Sequence, residues 1–164
     1  PFATKTVRDP TRPYYGQEFE VETPTNVSAV LDFEQGYVAT VTTTCDIFGY
    51  TPRLEIYGTE GILTANDPNM FGGPVLLRRR QGDTQEIPLT QPYTNRNRGL
   101  GVADMAYAIH AGTPHRASGE LIYHVLDVMH AIHDASRSGK HVEIESRVDR
   151  PAPLALRHDL NLWE

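Results

Sequence analysis

His124, Asp127, His130, His133 and Asp134 stand close together, and each of these side chains can ligate a metal ion or carry a proton. Their spacing argues against a shared ion. On a helix of about 3.6 residues per turn, the step from His124 to His133 ends half a revolution away, so the two imidazoles point to opposite sides. His130 and Asp134 lie one turn apart and can share a proton or form an ion pair, as solvent-facing pairs commonly do. No metal site and no catalytic residue are expected on this helix.

Other candidates carry weaker chemistry. Arg98-Gly99-Leu100-Gly101 has half the form of a glycine-rich phosphate loop and leads into a helical pattern whose first amides can receive an anion. Asp104 stands where a dinucleotide fingerprint needs its third glycine, and no strand–helix–strand unit surrounds it, so a tight helix entrance is expected instead. Cys45 falls in a strand pattern with no histidine partner, and a small buried thiol is expected there. Phe48-Gly49-Tyr50 places two aromatics around a glycine at a strand end. Such residues either make a structural corner or line a carbohydrate site, where rings pack on the apolar sugar face and a phenol bonds the hydroxyls.

The elements that must hold these residues follow from periodicity. Val27, Ala29, Leu31 and Phe33 alternate with Ser28, Val30 and Asp32, the mark of a half-buried strand. Glu34-Gln35-Gly36 closes a hairpin onto the valine- and threonine-rich run Tyr37 to Asp46. Further strands are expected at Arg53 to Tyr57, Ile62 to Ala65, Val75 to Arg79 and Gln85 to Leu89, joined by short turns and therefore antiparallel. Arg78-Arg79-Arg80 reads as a solvated cluster at a strand end.

The second half changes period. Val102, Met105, Ala106 and Ile109 mark one face of a first helix, stopped by Gly112 and Pro114. Ser118 caps a second helix with Glu120 in its first turn and a broad apolar face through Leu121, Ile122, Val125, Leu126, Val128, Met129 and Ile132. A short strand is expected from His141 to Glu145. The resulting fold class is α+β, an open, mostly antiparallel sheet with helices packed on one face. Its other face needs cover, which a second subunit supplies. Residues 1–16 read as a connector, 17–150 as the domain, and 151–164 as a tail with Leu160, Leu162 and Trp163 as anchors.

Composition bounds the function. The chain has 164 residues, 39% of them hydrophobic, enough for one globular core. Its longest apolar stretches fall far short of the roughly 20 residues that span a bilayer. A net charge of −6 provides no basic field for nucleic acid. A single cysteine excludes an internal disulfide and fits a reducing, cytoplasmic setting. The opening Pro1 fits a natural chain that begins further upstream.

Several strings resemble a known family. They are Arg53-Leu54-Glu55-Ile56-Tyr57-Gly58-Thr59-Glu60-Gly61-Ile62-Leu63 with Asn66-Asp67-Pro68-Asn69, Arg98-Gly99-Leu100-Gly101-Val102-Ala103-Asp104-Met105-Ala106, His115-Arg116-Ala117-Ser118-Gly119-Glu120, and Leu126-Asp127-Val128-Met129. In this order, over roughly residues 20 to 150, they resemble the carboxy-terminal, dihydrodipicolinate-reductase-like domain of the Gfo/Idh/MocA oxidoreductases. The resemblance implies an NAD- or NADP-dependent parent that transfers hydride at a secondary hydroxyl of a sugar, inositol or related polyol. The Rossmann domain, the Glu-Lys-Pro segment and the Asp-x-x-x-His helix of the family are not found in these residues, so the chain alone is expected neither to bind the dinucleotide nor to catalyse. By motif, Tyr50 and Phe48 correspond to a substrate-facing aromatic-Gly-Tyr stretch. The resemblance further implies a homo-oligomer formed through the open sheet face. A stand-alone interaction or scaffold module of the same fold is the alternative, with no nucleic acid or membrane partner in either case.

Overall fold

The computed structural model describes residues 4–45, 47, 54–90, 93–94 and 98–154. The chain is α+β, with antiparallel sheets and two helices, and it divides into two compact units, residues 1–50 and 51–164.

In the first unit β1 (Thr4–Thr6) pairs antiparallel with β2 (Glu18–Glu20), and β3 (Asn26–Asp32) with β4 (Val38–Thr44). The stretch read as a connector thus contributes a strand. Its return is built by Asp9, whose carboxylate accepts from both the amide and the hydroxyl of Thr11. The β3–β4 hairpin follows the period-two pattern: Val27, Ala29 and Leu31 are half-buried, and Ser28, Val30 and Asp32 are exposed. On the exposed face Ser28 and Thr42 stand opposite each other with their hydroxyls 3.1 Å apart, a cross-strand pair that favours this register. The turn closes with Gly36 at φ 87°, and the rings of Phe33 and Tyr37 stack at 4.4 Å across its mouth.

The second unit opens with a four-stranded meander, β5 (Leu54–Tyr57), β6 (Gly61–Ala65), β7 (Val75–Arg79) and β8 (Gln85–Ile87), each strand antiparallel to the next. Short turns between runs of β-branched and aliphatic residues enforce that order. Gly58 donates its amide to the Gly61 carbonyl at 2.9 Å, and a Cβ on Gly61 would stand 2.7 Å from the Arg78 carbonyl oxygen. Glycine is therefore what lets β6 approach β7. The arginine run ends β7 with its last two strand residues exposed, and Arg79 lies 3.8 Å from Glu60. Among the described residues the strands form three separate sheets, where one open sheet was expected.

Helix α1 (Leu100–Ala111) starts from Gly99 at φ 83° and stops at Gly112, with Thr113 donating back to the Ala108 carbonyl at 2.9 Å. Its inward face differs from the expected one. Val102 and Ile109 are 71% and 72% exposed, whereas Ala108 is buried and Leu100, Asp104 and Tyr107 are half-buried. Asp104 explains the rotation, because its ion pair with Arg116 draws that side of the helix inward.

Helix α2 (Gly119–Ser138) has the expected cap: the Ser118 hydroxyl accepts from the Leu121 amide at 3.2 Å, and Gly139 at φ 66° ends it. The broad apolar face divides in two. Leu121, Val128, Ala131 and Ile132 turn inward, while Ile122, Val125, Leu126 and Met129 are exposed at the spacing of a single stripe. The strand expected from His141 to Glu145 does not form. Among the described residues these belong to no sheet, and the chain just beyond them is tied to α2 through Ser146. Among the described residues no helix is long and apolar enough to cross a membrane.

The Gly61 contact gives a direct test. Gly61→Ala is expected to lower stability by roughly 1–3 kcal/mol, because a backbone carbonyl must move to admit the methyl group. Gly119→Ala, which meets nothing within 4 Å and adds a helix-favouring residue, is expected to be neutral or stabilising. Urea midpoints of the two variants check both.

Candidate functional site

A polar arrangement forms where α2 meets the segment that follows it. Helical spacing puts His124 and Asp127 one turn apart on the inward side of α2, and Ser146 is carried to them by the chain beyond Gly139. The Ser146 hydroxyl donates to Asp127 Oδ2 at 2.6 Å, and the Ser146 amide donates to the same oxygen at 3.3 Å. His124 Nδ1 lies 2.7 Å from Ser146 Oγ. The Ser146 bonds hold the Asp127 carboxyl below the usual carboxylate range, with the nearby His124 and His130 adding to the effect.

Because an ionised carboxylate only accepts, the Ser146 proton in this arrangement points at Asp127, and His124 Nδ1 is the donor to Ser146. Ser146 is therefore a bridging hydroxyl. A serine nucleophile would need the opposite polarity, giving its proton to the imidazole. Beside the bridge opens a cleft of about 370 Å³ lined by Gly119, Glu120, Tyr123, Ser146 and Arg147. It brings a carboxylate, a guanidinium, a hydroxyl and a phenol ring to one place, a set suited to a small polyhydroxylated or zwitterionic ligand. The Glu120 carboxyl is held below its usual range by its own backbone amide and the Ser118 hydroxyl at the start of α2, with His115 contributing.

A second arrangement is structural. Arg116 donates from its amide to Asp104 Oδ2 at 3.1 Å, and its guanidinium pairs with Asp104 Oδ1. The same guanidinium donates to the carbonyls of Ala152 at 2.9 Å and Pro153 at 3.0 Å. One side chain thereby joins α1, the linker before α2 and the chain near residue 153.

The residues singled out by sequence fare differently. Phe48 and Tyr50, the expected substrate contacts, lie outside the described residues, as do Leu160, Leu162 and Trp163. Cys45 is exposed, not buried, because it follows the last residue of β4; its carbonyl accepts from Lys5 Nζ at 3.2 Å. His130 and Asp134 lie one turn apart on α2, and Asp134 accepts from Arg137. No group of three metal-ligating side chains occurs among the described residues. The entrance to α1 does not fit a dinucleotide: Asp104 is engaged by Arg116, and the described strands pair only antiparallel, so no strand–helix–strand cradle surrounds Gly99. Ser146, Arg147 and Arg116 were missed. Ser146 and Arg116 act on partners 12 to 37 residues away, a separation at which periodicity carries no signal, while the bonds of Arg147 are local.

The chain matches no protein-family model, no curated protein and no solved structure.

Two outcomes follow from these contacts. Arg116→Ala is expected to cost about 1–3 kcal/mol, since it leaves two carbonyls without their donor and the half-buried Asp104 carboxylate with only the residue-116 amide; Asp104→Asn in the same background should add little, as a double-mutant cycle by urea unfolding will show. Asp127 has a folded pKa below its unfolded one, so it contributes stability that is complete above the ordinary carboxylate range and is lost as pH falls through the folded value. Asp127→Asn is expected to flatten the acid limb of the stability–pH curve.

Proposed function

We propose that this chain is the carboxy-terminal domain of an NAD- or NADP-dependent oxidoreductase of the Gfo/Idh/MocA type, contributing substrate contacts and subunit association. In that assignment the hydride moves at a secondary hydroxyl of a sugar, inositol or related polyol, on a dinucleotide held by another domain of a cytoplasmic parent. Phe48 and Tyr50 face the substrate. The fold is that of a dihydrodipicolinate-reductase-like domain, whose open sheet face meets another subunit.

The observation that carries the assignment is the order of the resembling strings together with how two of them meet. The Tyr57-Gly58-Thr59-Glu60-Gly61 string is the turn between β5 and β6. Asp104, from the string that opens α1, is paired with Arg116, from the string that precedes α2. Exposed apolar side chains, among them Val30 and Val38 at 61% each, supply surface for association. The same surface also serves a non-catalytic scaffold module, which is the second reading.

Intact mass of the native gene product separates the two. One added domain of typical size roughly doubles the mass and supports the dehydrogenase; a product no longer than this chain supports the scaffold. In a longer product, Tyr50→Phe is expected to raise the sugar KM about three- to tenfold, the loss of one hydrogen bond, while leaving dinucleotide affinity unchanged. Unaltered sugar kinetics would remove Tyr50 from the site. Light scattering at micromolar concentration should give a mass above that of a monomer; a monomer would end the association claim.

A further inference from the structure

We propose that Ser146, His124 and Asp127 form a pH-responsive clasp, which holds the segment around residues 141–148 to α2 more tightly when His124 carries both of its ring protons. The proposal rests on the hydrogen bonds of the second unit and is independent of the oxidoreductase assignment.

Among the described residues the segment has no ladder partner, and side-chain bonds are part of what attaches it to α2. Ser146 supplies two of them to one oxygen of Asp127. What His124 contributes depends on its protons. A neutral imidazole bears one proton: on Nδ1 it donates to Ser146 as in the arrangement above, and when it sits on Nε2, Nδ1 is an acceptor. Nδ1 then competes with Asp127 for the single hydroxyl proton of Ser146, which lies within hydrogen-bonding distance of both. An imidazolium removes the competition. Nδ1 can only donate, Ser146 accepts from it, and the Ser146 proton is committed to Asp127, so donation runs one way from cation to anion.

The surrounding charges are mixed. On α2 they are Glu120, Asp127 and His130, and on the segment His141, Glu143, Glu145 and Arg147. Arg147 is directed to the Ile144 carbonyl at 2.8 Å, and His130 acts on Asp127 together with His124. The sign follows. An imidazole gains its charge as pH falls, so the clasp tightens toward acid. It loosens again only when pH drops far enough to protonate Asp127, whose carboxyl is held below its usual range.

The experiment is amide hydrogen exchange of residues 144–147 in the full chain, expressed as protection factors between pH 8 and pH 5. Protection is expected to rise roughly fivefold toward pH 5, the gain from replacing a neutral hydrogen bond by a charge-assisted one. In His124→Gln the rise should vanish. A flat wild-type profile overturns the proposal, as does an equal rise in His124→Gln. The wild-type ring nitrogen shifts of His124 give a second readout free of any variant: Nδ1 must be protonated at pH 5 and its signal must respond to Ser146→Ala. A ring signal indifferent to Ser146 also overturns it.

Discussion

The second unit depends on one guanidinium. Helices α1 and α2 are joined by a short linker, and such a linker alone leaves their relative orientation open. Arg116 ties that linker to α1 by bonding Asp104, and to the later chain by bonding the carbonyls of Ala152 and Pro153 at once. A planar fork with several donors can do this where a lysine ammonium cannot hold the same geometry. The buried face of α1 follows from the same pair, since Asp104 must lie toward Arg116. The exposure of Val102 and Ile109 is the corollary.

Local structure was legible in the sequence where local rules govern it. Alternation gave β3 and its hairpin, Ser118 with Glu120 gave the start of α2, and short glycine-containing turns gave the antiparallel meander. The orientation of α1 was not legible. Val102, Met105, Ala106 and Ile109 form the more apolar stripe, yet an ion pair with a residue twelve positions away decided which side faces in. The strand expected at His141 to Glu145 failed for a related reason. Its residues can extend, but Ser146 ties the chain beside a helix instead of a sheet edge. Cys45 reads as part of a strand, and the ladder ends one residue before it.

The candidate site was half legible. His124 and Asp127 stood out by type, though as prospective metal ligands, and their actual partner is a serine that no spacing rule links to them. Polar side chains on a helix recruit whatever the chain brings back to them, and sequence pattern does not encode that return.

The strand pairings within each unit have a consequence for how the chain assembles. All of them join neighbours in sequence, β1 with β2, β3 with β4, and β5 through β8 in order. Each ladder closes a short loop, which loses little chain entropy, so these hairpins can form as soon as their residues leave the ribosome. The bonds from Arg116 to residues 152 and 153 close a loop more than thirty residues long. In the second unit, then, synthesis lays down the meander and both helices first, and the chain near residue 153 is drawn in last, as a fastening applied to elements already built.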